Sequence, residues 1–326
     1  MSRCGVDAVQ EILTSSPVIL GEGAVIERLR RMAGIVLDDQ VVNSALIYDP
    51  AGRAALGIIC RQYMDIGLGH DLPLLVSTPT WRASRERIAA AGLSHRDLNG
   101  DNYRFLDSLR QEYGVYGKRI LVAGLMSCRG DAYRPGDALP ASVAEEYHSW
   151  QAGLLADAGV DLLLAATLPA LSEAVGLARA MAATGQPYLV SFVVRPEGVL
   201  LDGTPLDEAV SVLDSAATPR PLAYLINCTH ASLFRKALYG NRNSSRLARE
   251  RIVGLLANTA PLSPEELDNC SELVEEPPLA FGDDVGALFD GGMRILGGCC
   301  GTDDRHIAAL AQRLAVRVAG RAVTGV

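Results

Sequence analysis

Between residues 188 and 226 the chain reads Tyr188-Leu189-Val190-Ser191-Phe192-Val193, then Thr204-Pro205-Leu206-Asp207, then Leu222-Ala223-Tyr224-Leu225-Ile226. The first and last runs are apolar and rich in residues that favour strands. The segment between them has helical period. Leu206, Val210 and Leu213 share one face, Thr204 offers a cap, Pro205 suits the first helical position, and Asp207 meets the positive dipole end. Two apolar runs joined through a helix make a βαβ unit, which pairs its strands in parallel and covers both sheet faces.

Working outward, the same unit recurs. Candidate strands lie at Val18–Leu20, Leu74–Ser77, Ile120–Ala123, Asp161–Ala165, Tyr188–Val193, Leu222–Ile226, Val253–Leu256 and Met293–Leu296. The intervening segments read as helices. Ser263-Pro264-Glu265-Glu266 has capping-box spacing, and Thr302-Asp303-Asp304 opens the last helix with acids. Eight strand–helix units in one chain favour a closed (β/α)8 barrel, with an open doubly wound sheet as the competing topology. The expected organisation is α/β: a TIM barrel forming one domain over residues 1–326, with its core at about 17–318.

Composition bounds the partners. The 326 residues are 49% hydrophobic, enough for a large core, and carry a net charge of -8 with basic residues dispersed. Arg28, Arg30 and Arg31 read as the polar face of a helix, so no nucleic-acid footprint is present. No apolar run approaches the roughly 20 residues that span a bilayer, and Met1–Ile12 lacks the pattern of a signal peptide. These features predict a cytoplasmic protein with small-molecule partners and no membrane. The seven cysteines then read as core residues or ligands, not as a disulfide framework. The oligomeric state stays open.

In a barrel the residues at the C-terminal strand ends converge on one mouth. After the sixth strand comes Asn227-Cys228-Thr229-His230, and after the eighth comes Gly297-Gly298-Cys299-Cys300-Gly301-Thr302. Three thiols from neighbouring strands are therefore expected at one rim. That number of protein ligands, with a fourth position open, is the pattern of catalytic zinc. Two adjacent cysteines can face one ion only where the backbone bends sharply, and the flanking glycines permit that. Alternatives stand beside this reading. A buried free cysteine is ordinarily core packing, Cys299-Cys300 could form a redox pair, and His230 could replace a thiol. Cys4, Cys60, Cys128 and Cys270 have no comparable setting, and His148 and His306 read as helix residues away from the mouth.

The donor set predicts the chemistry. Zinc that activates water generally uses histidines and carboxylates. Three thiolates leave it a poor acid for water but a good host for a fourth thiol, which loses its proton and stays nucleophilic. Attack of that sulfur on a methyl group carried by a cationic leaving group is the simplest reaction, and a hydrolase is disfavoured.

The chain resembles the homocysteine S-methyltransferases, zinc-dependent enzymes related to betaine–homocysteine methyltransferase, from about Leu20 to Arg317. Gly297-Gly298-Cys299-Cys300-Gly301-Thr302 and Asn227-Cys228 carry the resemblance. Supporting matches are Ala158-Gly159-Val160-Asp161, Thr167-Leu168-Pro169, Ser191-Phe192 and Asn258. It implies a (β/α)8 barrel and zinc held by Cys228, Cys299 and Cys300. The chain departs from the family pattern in three places. Glu22-Gly23 stands where an Asp-Gly is usual, Ile26-Glu27 where glycine and threonine follow, and Ala166 where a glutamate precedes Thr167. In the relatives the two carboxylates grip the amino group of homocysteine, so here Glu22 would keep half of that grip.

Candidate substrate-binding residues are Glu22 for an acceptor ammonium, Ser77 and Thr78 for a carboxylate, and Thr167, Asn227 and Asn258 either for substrate or for orienting the cysteine loops. Trp81 and Tyr133 are candidates for shaping the methyl-donor pocket. The expected reaction moves a methyl group to a zinc-bound thiol, first choice homocysteine giving methionine. The chain stops one helix after the cysteine motif, which by resemblance favours a sulfonium donor, S-methylmethionine or S-adenosylmethionine, over methyl-folate. The alternatives are the same chemistry on another thiol or selenol, and a non-catalytic zinc- or redox-sensing barrel.

Overall fold

The computed structural model describes residues 11–240, 246–262, 266 and 276–324. Ten strands are formed among them: β1 (Ile19–Gly21), β2 (Leu74–Ser77), β3 (Ile120–Ser127), β4 (Leu162–Leu168), β5 (Tyr188–Phe192), β6 (Val194–Arg195), β7 (Val199–Leu200), β8 (Ala223–His230), β9 (Ile252–Asn258) and β10 (Ile295–Gly298). Eight close into a barrel in the order β1-β10-β9-β8-β5-β4-β3-β2, and β6 and β7 form a separate two-stranded ribbon. All the barrel pairings are parallel.

A helix follows each barrel strand: α1 (Pro50–Gly69), α2 (Leu98–Gln111), α3 (Ala141–Ala158), α4 (Leu171–Ala182), α5 (Leu206–Ala216), α6 (Ala231–Tyr239), α7 (Pro278–Gly286) and α8 (Asp304–Thr324). Their limits have local causes. Asp49 caps α1 by accepting from the amide of Gly52, with Pro50 next. Gly159, at φ 100°, ends α3 in the left-handed cap that only glycine adopts without strain.

Alternation along the strands divides the core in two. Ile19, Leu75, Leu121, Leu164, Leu189, Leu225 and Ile295 fill the barrel. Leu20, Leu74, Val76, Val122, Leu163, Val190 and Ile226 face the helices. The closed barrel is the expected fold, and each predicted strand is present, but the limits move. β3, β4, β8 and β9 run further toward the mouth than the apolar runs suggest. Asn227, Cys228 and Thr167 consequently lie within strands instead of beyond them. The β6–β7 ribbon was not anticipated: Pro196-Glu197-Gly198 turns the chain back immediately after β5. It also claims Thr204, whose carbonyl accepts from the amide of Leu200, so α5 begins at Leu206, one residue later than its cap signal implied. The capping-box segment at 263–266 lies, apart from Glu266, outside the described residues.

Candidate metal centre

Two irregular strand positions build the site. The β8–β9 register shifts between Asn227 and Thr229, making Cys228 the extra residue of a bulge, with φ at 52°. Thr167 sits in a matching shift of β4 against β5, with φ at 62°. Non-glycine residues rarely adopt this region, and such strain gathers at functional sites. Asn227 ties the two bulges together across β5. Its Oδ1 accepts from the amide of Thr167 at 2.9 Å and the hydroxyl of Ser191 at 2.7 Å, and its Nδ2 donates to Thr167 Oγ1 at 3.0 Å.

The second cysteine segment is held by a cage of backbone contacts. The amide of Cys299 donates to the Ala257 carbonyl at 2.7 Å, that of Cys300 to Asn258 Oδ1 at 3.1 Å, and that of Gly301 to Glu27 Oε2 at 2.5 Å. The Thr302 hydroxyl donates to the Cys299 carbonyl at 2.7 Å and accepts from the amide of Ala24. Glycine is required at two points. A Cβ on Gly297 would stand 2.6 Å from the Cα of Gly21, and Gly301 has φ at 82°.

These devices bring three sulfurs together, all within 4.8 Å of one another. Cys228 Sγ lies 3.0 Å from Cys299 Sγ and 3.9 Å from Cys300 Sγ. Sulfurs about 2.3 Å from a tetrahedral zinc stand about 3.8 Å apart. The second separation fits that edge, and the first fits once two side chains spread by less than an ångström. Tyr133, Val193 and Leu201 pack around the trio. The thiols titrate together: hydrogen bonds from Cys228 and Cys300 hold Cys299 well below the usual thiol value, while the other two are held well above it. Three negative sulfurs this close repel one another, so full ionisation calls for a cation among them. The donor set therefore fits zinc.

The remaining predicted residues separate into two groups. Glu22 follows β1, and its Oε1 accepts from the amide of Ser77 at 2.7 Å. Burial pushes its carboxyl up to about 8, against the lowering effect of the Ser77 hydrogen bonds. Ala166, 6% exposed, belongs to the cluster that fills the barrel. Thr167 and Asn227 brace the Cys228 bulge, and Asn258 braces Cys300. Thr78 sits differently from the expectation. Its hydroxyl is fully buried, shared with Thr80 and accepting from the amide of Leu125, so it fastens β2 to β3.

Tyr133 is beside the cysteines, whereas Trp81 is covered by the guanidinium of Arg82 at 4.2 Å. His230 caps α6 through Nδ1 and meets Glu276 through Nε2. His148 pairs with Glu173, and His306 with Asp303 and the Glu276 carbonyl. Cys60 and Cys128 are buried core residues, and Cys4 and Cys270 lie outside the described residues. Sequence reasoning noted Glu27 only as a departure and missed its hold on the cysteine turn.

The sequence profile of the homocysteine S-methyltransferases matches residues 19–314. The chain belongs to the homocysteine S-methyltransferase family. It is an enzyme of the thiol-methyltransferase type. It is 29% identical over 256 residues to homocysteine S-methyltransferase of Escherichia coli (strain K12), covering 72% of this chain and 78% of that protein. To homocysteine S-methyltransferase YbgG of Bacillus subtilis (strain 168) it is 24% identical over 326 residues, covering 93% and 96%. The solved metallated form of E. coli homocysteine methyltransferase MmuM superposes with a TM-score of 0.75 at 25% identity, covering 94% of this chain and 99% of that one. Among the described residues no helix is long and apolar enough to cross a membrane.

Proposed function

We propose that this enzyme moves a methyl group from a sulfonium donor, S-methylmethionine or S-adenosylmethionine, to the thiol of homocysteine, with zinc held by Cys228, Cys299 and Cys300. The observation that carries the reading is the three-sulfur cluster at the C-terminal mouth of the barrel. The metallated form in which the E. coli relative has been solved supports the metal. When bound, the zinc lowers the proton affinity of an acceptor thiol without abolishing its nucleophilicity.

The chain's own residues supply the rest. The bulges at Thr167 and Cys228, locked by Asn227, aim one ligand. The backbone cage around Cys299–Thr302 aims the other two, so little reorganisation is left for the reaction. Glu22 offers a carboxylate to the acceptor amine. The aromatic face of Tyr133, beside the trio, suits a sulfonium cation. The acceptor sulfur attacks the methyl carbon as the carbon–sulfonium bond breaks. The donor leaves as a neutral thioether, and the thiol proton passes to solvent.

A second acceptor, another thiol or a selenol, is favoured by one observation: Ala166 offers no carboxylate. Zinc X-ray absorption with and without homocysteine tests both. Conversion of three sulfur ligands and a lighter atom to four sulfurs supports homocysteine. A three-sulfur site unchanged by homocysteine directs the search to other thiols. Four protein ligands at rest would refute catalysis and favour a sensor.

A further inference from the structure

The segment between β3 and α3, residues 128–140, carries Tyr133 to the cysteines and has one short 3-10 turn, Pro135–Asp137, as its only regular structure. Two buried or half-buried charges outside the cysteine cluster hold it. Glu173, in the first turn of α4 and 1% exposed, accepts from the amide of Arg129 at 2.7 Å and from the amide of Leu139 at 3.2 Å. Those amides are near the two ends of the segment. The same carboxylate accepts from His148 Nε2 at 2.9 Å. From the other side, the guanidinium of Arg82 donates to the carbonyls of Cys128, Arg129 and Gly130. Between these anchors Asp131 Oδ1 accepts from the amide of Tyr133 at 2.9 Å.

We propose that Glu173 is a positioning residue: by fastening both ends of residues 128–140 it sets Tyr133 against Cys228, and so shapes the wall that receives the cationic methyl donor. That the wall serves a donor rests on the proposed function; that Glu173 places Tyr133 does not. A carboxylate in a dry interior is retained only where its oxygens are satisfied. Here Oε1 takes two donors and Oε2 one. Although burial pushes this carboxyl up, the hydrogen bonds from His148 and the two amides hold it below the usual carboxylate range. Glutamine cannot substitute, because whichever oxygen becomes an amide turns N–H toward N–H. It would release either Leu139, or Arg129 together with His148. The Tyr133 ring packs with Val193 and Leu201 against Cys228, Cys299 and Cys300.

The test uses metal-free protein, so it needs no methyl transfer. Alkylation of Cys228 by iodoacetamide is followed by peptide mass spectrometry in wild type, Glu173→Gln, Tyr133→Ala and the double variant. Each single substitution should speed Cys228 alkylation about tenfold, the population change that losing one buried hydrogen bond brings. The double should react no faster than Tyr133→Ala, because both changes act through one side chain. An unchanged rate in Glu173→Gln, or multiplied effects in the double, would overturn the assignment. If Glu173→Gln does not fold, Glu173→Asp, which keeps the charge but shortens the reach to the amides of Arg129 and Leu139, replaces it, and the same two outcomes decide. Enzyme active in methyl transfer should also show a raised KM for the sulfonium donor with the KM for the thiol unchanged. A wild type that shows the protection pattern but transfers no methyl group would count against the proposed function and leave the positioning role intact.

Discussion

Replacing Glu22 by glutamine should change how stability depends on pH, in a direction opposite to that of an ordinary ion-paired carboxylate. Its carboxyl stands at about 8 in the folded protein against an ordinary 4.5, chiefly because burial penalises its charge. Between those values the folded protein binds a proton that the unfolded chain has released, so stability falls as pH rises through this window and levels off above about 8. At about 1.4 kcal/mol per pH unit, the full displacement corresponds to roughly 5 kcal/mol. The Glu22 side chain is partly exposed, and solvent screening reduces the realised figure to roughly 2–3 kcal/mol. Glutamine carries no such penalty.

The assay is urea unfolding of metal-free wild type and Glu22→Gln at half-unit intervals from pH 5 to pH 9. The stability difference, variant minus wild type, should grow through the window and then plateau. Titration of the cysteines and every other group is common to both proteins and cancels. An amine docked against Glu22 favours the ionised carboxylate, so homocysteine should recover part of the loss at pH 8.5 in wild type and none in the variant. Parallel pH profiles would refute the reasoning, because they would mean that Glu22 ionises freely in the folded protein.

Three further outcomes are expected. Cys299→Ala should abolish zinc binding and methyl transfer together, with the far-UV circular dichroism of the barrel unchanged; zinc stoichiometry by elemental analysis checks it. Ala166→Glu should lower the KM for homocysteine about tenfold, the effect of one charge-assisted hydrogen bond, and an unchanged KM would point to a pocket shaped for another acceptor. Gly297→Ala should cost about 1–3 kcal/mol in chemical denaturation and reduce zinc occupancy, since the new Cβ would force β10 away from Gly21.

Much of this protein was legible along the chain because the decisive signals are local. Alternation of apolar runs with helical period marks eight βα units, and a parallel sheet fed by them closes with its strand ends at one mouth. The residues Cys228, Cys299 and Cys300 stood out because both cysteine motifs sit at predicted strand ends and the second is flanked by glycine on both sides. Strand ends were less legible. Asn227-Cys228 and Ala166-Thr167 look like loop sequence, yet they remain paired in bulges that Asn227 and Ser191 hold together. Thr78 looks like a free hydroxyl after a strand, and only the packing of β3 against it shows that it is occupied.

The sequence by itself determined the barrel, the order of its units and the three thiols brought to its mouth, because period and chemical type are properties of short windows. Tertiary structure alone decided what surrounds those thiols: Glu27 on the amide of Gly301, Asn258 on that of Cys300, and Glu173 on both ends of the segment that sets Tyr133 beside them. Each of these contacts joins residues far apart in the chain through backbone atoms, which every residue carries alike. No side-chain pattern announces such a bond, and it exists only once the barrel has closed.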